Sequence, residues 1–132
     1  SGKVLKTFST DLPELGGRNA ETWPFTAIRL KNGNTLVTLT HSNKVVEFDA
    51  HGKITWKISN DDFSEKPFSD PCGAQRLPNG NTVIASYGAS EGIKLFEVTP
   101  QKKMVWQYNG YRVHDFQVIT TNGIPITGKP LK

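Results

Sequence analysis

The stretch Arg29-Leu30-Lys31-Asn32-Gly33-Asn34-Thr35-Leu36-Val37 returns 47 positions further on as Arg76-Leu77-Pro78-Asn79-Gly80-Asn81-Thr82-Val83-Ile84. Beyond it, Lys44-Val45-Val46-Glu47-Phe48 matches Lys94-Leu95-Phe96-Glu97-Val98, and Trp56 matches Trp106, now at an offset of 50. The three added residues fall in Gly88-Ala89-Ser90-Glu91-Gly92, where turn chemistry tolerates insertion. Two matched blocks in one order make an internal repeat, and a period near 50 residues points to stacked, repetitive architecture.

Each unit reads as four short strands: 25–30, 34–40, 44–48 and 53–58, then 74–77, 81–86, 93–98 and 103–108. Val, Ile, Thr and aromatic residues fill them, and Gly, Asn, Asp and Pro separate them. Asn32-Gly33 and Asn79-Gly80 predict two-residue type I′ hairpins with positive φ at both central residues, which makes Gly33 and Gly80 structural. Gly52 serves the third turn of the first unit, and Pro100 that of the second. No window carries a helical period, and 60–69 is polar, Pro-interrupted loop. The class is all-β. Four antiparallel strands per repeat are the pattern of a β-propeller blade, a small sheet that must stack on its neighbours. The blades span 22–58 and 70–108. Trp56 and Trp106 end their fourth strands and are expected to fill the wedges between blades rather than stack on bases.

Composition removes other classes. The chain has 132 residues, 16 Lys plus Arg against 12 Asp plus Glu, and a net charge of +4. That length suits one domain or part of one. Its basic residues are scattered, and no apolar run approaches a membrane helix, so neither nucleic acid nor membrane is an expected partner. Cys72 is the sole cysteine, which excludes an internal disulfide and a cysteine zinc cage. His41, His51 and His114 lie too far apart for a short metal motif, and Asp61, Asp62 and Glu65 lack calcium-loop spacing. The residues themselves predict no metal and no cofactor.

Phe48-Asp49-Ala50-His51-Gly52-Lys53-Ile54-Thr55-Trp56 is similar to the tryptophan motif of pyrroloquinoline-quinone (PQQ)-type propeller repeats: an Asp, then Gly-Lys, then Trp. The Arg-Leu-Pro-Asn-Gly-Asn-Thr of 76–82 resembles the inner hairpin of related propellers, arylsulfotransferase-like ones included. The resemblance covers about residues 22 to 127. The usual Thr before Gly-Lys is absent and the turn is one residue shorter, which sets the chain beside the broader quinoprotein-like group. This resemblance implies a propeller fold and a periplasmic or extracellular location. PQQ is suggested by it alone, and the paired cysteines and metal ligands of quinone-dependent alcohol dehydrogenases have no counterpart.

The ends read as pieces of blades. Gly2-Lys3-Val4 aligns with Gly52-Lys53-Ile54, so 2–8 is expected to be the outer strand of a preceding blade. Gln117 aligns with Gln75 and Asn122-Gly123 repeats the hairpin turn, so 114–127 is expected to start a further blade. Two full blades plus pieces of a third fall short of the roughly four to eight that close a ring. The expected partners are the remaining blades of a longer chain, ending in this C-terminal part, or a second copy.

Strand alternation puts the turns at 32–33, 79–80 and Gly52 on one face of the disc. Loops 10–24, 59–72 and 109–113, with His41-Ser42 and 87–92, fall on the other, where binding on a rigid scaffold concentrates. Phe25, Cys72 and His114 begin the inner strands at the channel. His114 and Asp115 are the catalytic candidates, an imidazole base or anion contact whose tautomer the carboxylate would set. Family resemblance gives the same pair a repeated structural place. Arg29 with Arg76, and Gln75 with Gln117, recur, which favours inter-blade hydrogen bonds over substrate contacts. Cys72 is expected to be a small buried hydrophobe. Ligand-binding candidates are Arg18, Trp23, His41, Tyr87, Tyr111, Arg112 and His114. The expected function is a propeller scaffold binding a ligand or protein on its loop face without catalysis. One alternative is a fragment of a quinoprotein-like or arylsulfotransferase-like enzyme, with His114, Arg18 and Arg112 handling an anion. Another is a carbohydrate-binding propeller that stacks sugars on Trp23, Tyr87 and Tyr111.

Overall fold

A computed structural model describes residues 2–18 and 20–126. The first repeat folds into β1 (Pro24–Arg29), β2 (Thr35–Leu39), β3 (Lys44–Phe48) and β4 (Ile54–Ser59), paired in that order. The second gives β5 (Pro71–Arg76), β6 (Thr82–Ser86), β7 (Leu95–Val98) and β8 (Met104–Tyr108), in the same order. All pairs are antiparallel, and the registers correspond: Glu47 faces Trp56 as Glu97 faces Trp106, each beside a bulge. A small hairpin of β9 (Thr120–Thr121) and β10 (Ile124–Pro125) follows. The fold is all-β, two propeller-type blades and part of another. Helix among the described residues is confined to 3-10 turns at Pro13–Leu15 and Asn60–Asp62.

The inner hairpins differ from the expected two-residue turns. Gly33 (φ 86°) and Gly80 (φ 89°) take the left-handed conformation, but Asn32 and Asn79 do not. Leu30 N–H donates to Asn34 O, and Gly33 N–H to Leu30 O, closing a three-residue loop with its left-handed residue last. The reason is local. The Asn32 side chain accepts the Asn34 N–H at 3.0 Å, as Asn79 accepts that of Asn81, so each Asn holds the turn without itself turning left-handed. Asn122 (φ 52°) and Gly123 (φ 78°), joining Thr121 to Ile124, do form the two-residue, doubly positive type.

Period-two alternation divides the first sheet into two apolar faces. Leu36, Val45 and Ile58 face the second sheet and pack with Ala74, Ile84, Phe96 and Val98; Phe68, from the linker, joins them. The Asn60 amide grips the Phe68 backbone, donating to its carbonyl at 2.9 Å and accepting its N–H at 2.8 Å. On the opposite face, Val37, Leu39, Val46 and Phe48 pack with Leu15 and Leu12. Phe8 stacks on Phe48 at 5.9 Å, so residues 8–15 overlie that face.

A polar staple crosses between the blades. Arg76, ending β5, donates to Glu47 of β3 at 2.7 Å and to Thr82 Oγ1 at 2.9 Å. Its guanidinium lies 5.4 Å from the Trp56 ring, whose Nε1–H donates to Pro100 O at 2.9 Å. Glu47 also accepts from Asn34 (2.6 Å) and Asn32. Burial opposes its ionisation, but the Asn34 hydrogen bond and the Arg76 charge outweigh that, holding the carboxyl below its usual range. Arg29, the repeat partner of Arg76, instead donates to Gly33 O of its own hairpin at 2.6 Å. Trp106 fills no wedge here. It is 48% exposed, because no further blade covers that face among the described residues.

The terminal expectations change likewise. Residues 2–9 carry no strand pairing, and the preceding blade to which an outer strand at 2–8 would belong is not among the described residues. Of the expected 114–127, residue 127 lies outside the described residues, and only β9 and β10 are laddered. Residues 114–119 are instead tied to β5 by Gln75, which accepts Val118 N–H at 2.7 Å and donates to Val118 O at 3.2 Å.

Two outcomes follow. Trp56→Ala is expected to cost about 3 kcal/mol through the cavity it leaves between sheets, and Trp106→Ala under about 1.5 kcal/mol; denaturant titration compares them, and equal losses would place both tryptophans in one environment. A depressed Glu47 pKa means stabilisation that is present above its ordinary value of 4.5 and fades as pH falls through the lower, folded-state value. Glu47→Gln should therefore lower stability at pH 7, by about 1–3 kcal/mol, and flatten the acid limb of the stability profile.

Candidate functional site

The loop-bearing end of the two sheets carries the aromatic candidates, and backbone bonds between neighbouring loops set their positions. Asn43, in the β2–β3 turn with φ 53°, accepts the Asp70 N–H at 2.9 Å and so links the His41 turn to the start of β5. Tyr87, just past β6, donates its N–H to Asp70 O, and Gly88 donates to Ser69 O. Trp23 and His41 meet edge-on at 5.3 Å. His114 lies between Phe25 (4.8 Å) and Tyr87 (4.9 Å), nearly perpendicular to both rings. The Arg112 guanidinium lies 5.9 Å from the Tyr87 centroid. Three separate stretches of chain thus bring Phe25, Tyr87, Arg112 and His114 together.

His114 reaches this place because its backbone crosses β5 at Gly73. A Cβ there would stand 3.2 Å from Asp115 Oδ1, and 3.3 Å from both His114 O and Phe116 Cδ1. Recurrence as Gln117 marks Gln75 for hydrogen bonding between blades, whereas the role of Gly73 escapes the sequence reading; a glycine inside a strand is the signal for such a close approach. Phe25 was placed at the channel, but its ring contact with His114 comes only from the fold.

Other candidates stand apart. Asp115 Oδ1 accepts the N–H of Phe116 at 2.9 Å and so caps its neighbour's backbone. Arg18 has a side chain 90% exposed and lies 3.9 Å from Asp11, away from the cluster's contacts. Tyr111 is exposed and tied by its N–H to the Tyr108 hydroxyl. Cys72 is buried; its burial, then the Asp70 charge, push the thiol up, which keeps it protonated and a poor nucleophile. Among the described residues, no group of three His, Cys, Asp or Glu is placed to hold a metal ion. A separate groove of about 520 Å³ runs between 65–69 and 88–93, bordered by Glu65, Lys66, Ser69, Glu91 and Gln107.

No family model matches the chain, and no curated protein does. Solved structures do. A protein of unknown function from Bacteroides caccae aligns with a TM-score of 0.58 at 22% identity, over 66% of this chain and 35% of that one. A streptogramin B lyase, itself a β-propeller, aligns with a TM-score of 0.52 at 15% identity, over 67% of this chain and 27% of the lyase. The chain thus spans roughly a third or less of each. At these identities the likeness concerns the fold alone, and it is a propeller-type fold.

Gly73→Ala tests how the site is built. The added methyl should lift residues 114–118 from β5, with faster hydrogen exchange at the Val118 amide and altered His114 ring signals. The two sheets should keep their melting behaviour. Unchanged exchange at Val118 would mean that the crossing has slack.

Proposed function

We propose that these blades belong to a propeller scaffold whose loop-bearing end binds a ligand or a protein partner at Phe25, Tyr87, Arg112 and His114. The observation that carries this reading is the convergence of those four side chains from three stretches of chain. Exposed aromatic rings beside an arginine are the residue types that dominate binding surfaces. Binding needs nothing more of them, whereas catalysis needs a positioned proton acceptor or nucleophile. Asp115 accepts the Phe116 N–H and Cys72 is buried, which leaves the His114 imidazole, set between the Phe25 and Tyr87 rings, as the one candidate base of the cluster.

The finer likeness to quinoprotein-like propellers stays part of this proposal, as does a periplasmic or extracellular location. PQQ fits the cluster poorly: a planar quinone bearing several carboxylates would meet only the Arg112 guanidinium as a fixed cation, with the Asp115 carboxylate adjacent to His114. No step is derived through it. One observation favours the enzyme alternative in part, since Tyr87 touches both His114 and Arg112, though Arg18 does not join them.

Proton NMR titration with benzoate, benzamide and methyl β-glucoside tests the binding reading. Perturbations should concentrate at Phe25, Tyr87 and His114, and disappear in His114→Ala with the fold intact by circular dichroism. Shifts confined to the 65–93 groove, or indifferent to His114→Ala, would overturn it. Hydrolysis of 4-nitrophenyl sulfate that depends on His114 would favour the enzyme.

A further inference from the structure

The residues that fasten the second sheet to the first recur on the first sheet, on a face that no described sheet covers. Arg29 pairs with Thr35 and Ala27 with Val37 across β1 and β2, as Arg76 pairs with Thr82 and Ala74 with Ile84 across β5 and β6. Cross-strand partners share a face, and Val37 sets this one on the side turned away from the second sheet. At the boundary between the sheets, Ala74 is buried, and Arg76 donates to Thr82 Oγ1 and to Glu47 of the first sheet. On the matching face of the first sheet, Ala27 is exposed and Arg29 folds back onto Gly33 O. Thr35 is 8% exposed, and its buried Oγ1 has no hydrogen-bond partner among the described residues. A buried hydroxyl left unpaired is costly. The donor that its counterpart Thr82 receives is an arginine Nε–H.

The rest of that face already has the pattern of a blade boundary. In the repeat, Phe8 aligns with Ile58 and Phe48 with Val98. Ile58 and Val98 belong to the core between the two sheets, and Phe8 stacks on Phe48 at 5.9 Å. Leu12 and Leu15 pack on this face as Phe63 and Phe68 of the linker pack between the sheets. Phe8 thus stands where a fourth-strand residue of a preceding blade would stand. A second copy of the chain is a poorer occupant. On the corresponding face of its second sheet, Gln75 and Gly73 hold residues 114–118 against β5, on the ground that β1 of another copy would need.

We propose that this face receives a blade that precedes residue 2 in the chain, with residues 2–8 as its fourth strand, and that Arg29 and Thr35 take up a carboxylate from its third. On docking, Arg29 leaves Gly33 O, donates its Nε–H to Thr35 Oγ1, and grips the carboxylate with its terminal nitrogens. This surface lies at the hairpin end of β1, apart from the His114 cluster, and the inference stands whether or not that cluster binds a ligand.

An extended chain tests this. Because Gly2 aligns with Gly52, a copy of residues 22–51 joined in place of Ser1 supplies three strands, a copy of Glu47 among them, and 2–8 complete the blade. All three sheets should unfold in one cooperative transition. Arg29→Gln should lower the folding equilibrium constant about tenfold in the extended chain, and under about twofold in the 132-residue chain. Glu47→Gln in the added copy should cost about the same tenfold, and the two substitutions together no more than either alone. An added sheet that stays unfolded or melts separately, or an equal Arg29→Gln loss in both chains, would overturn the proposal. On the unextended chain, acetate titrated against chloride at equal ionic strength should shift the Arg29 Nε–H signal. That of Arg76, whose carboxylate is in place, should stay still. Indifference of Arg29 to acetate would overturn the carboxylate assignment. Self-association of the unextended chain that Glu97→Gln abolishes would give the face to a second copy instead, and would overturn the preceding blade.

Discussion

Arg76 bonded to Glu47 across the blade boundary, with the Trp56 ring beside the guanidinium, is the constraint on which the described architecture depends. A four-stranded sheet of four- to six-residue strands has too little apolar surface to stand alone, and must bury a face against a neighbour. Apolar contact supplies most of that attraction but sets no register, since Leu36, Val45 and Ile58 could slide over Ile84 and Phe96. A charge-assisted bond has direction. Glu47 is itself held by Asn34 and Asn32 of the adjoining hairpin, so turn, strand and neighbouring blade are fixed through one carboxylate. Trp56 Nε1, reaching Pro100 O, adds a second fixed point on the same boundary.

That rigidity positions the candidate site. Where no ladder is available, the chain uses side-chain amides in its place: Asn60 grips the Phe68 backbone, and Gln75 grips that of Val118. Each satisfies an N–H and a C=O with one residue, so an irregular segment lies against a sheet with those backbone groups paired. Gly73 then lets 114–116 approach β5 closely enough for His114 to stand between Phe25 and Tyr87. The result is a cluster of aromatic and basic groups at the loop-bearing end, built by backbone proximity rather than by one motif.

The same residue types behave differently where neighbours differ. Trp106 and Glu97 keep the pairing of Trp56 and Glu47, and Glu97 accepts Asn81 at 2.6 Å as Glu47 accepts Asn34. With no second Arg76 before them, the ring stays half exposed. Arg29, lacking a carboxylate across a boundary, folds back on Gly33 O.

The sequence by itself determined the repeat, the eight strands and their order, because strand alternation and Asn-Gly turns are local properties carried by adjacent residues. It also marked Arg76 as an inter-blade residue, since a residue that recurs with the repeat serves the repeat. The turn type was misread at Asn32 and Asn79, where an Asn side chain bonds the backbone and so removes the need for a second left-handed residue. Tertiary structure alone decided that His114 joins Phe25, Tyr87 and Arg112, that Arg18 and Tyr111 do not, and that Asp115 serves backbone. Those outcomes rest on contacts between residues tens of positions apart, whose meeting depends on how two sheets stack and where a glycine allows a crossing. Neighbour relations along the chain carry no record of either.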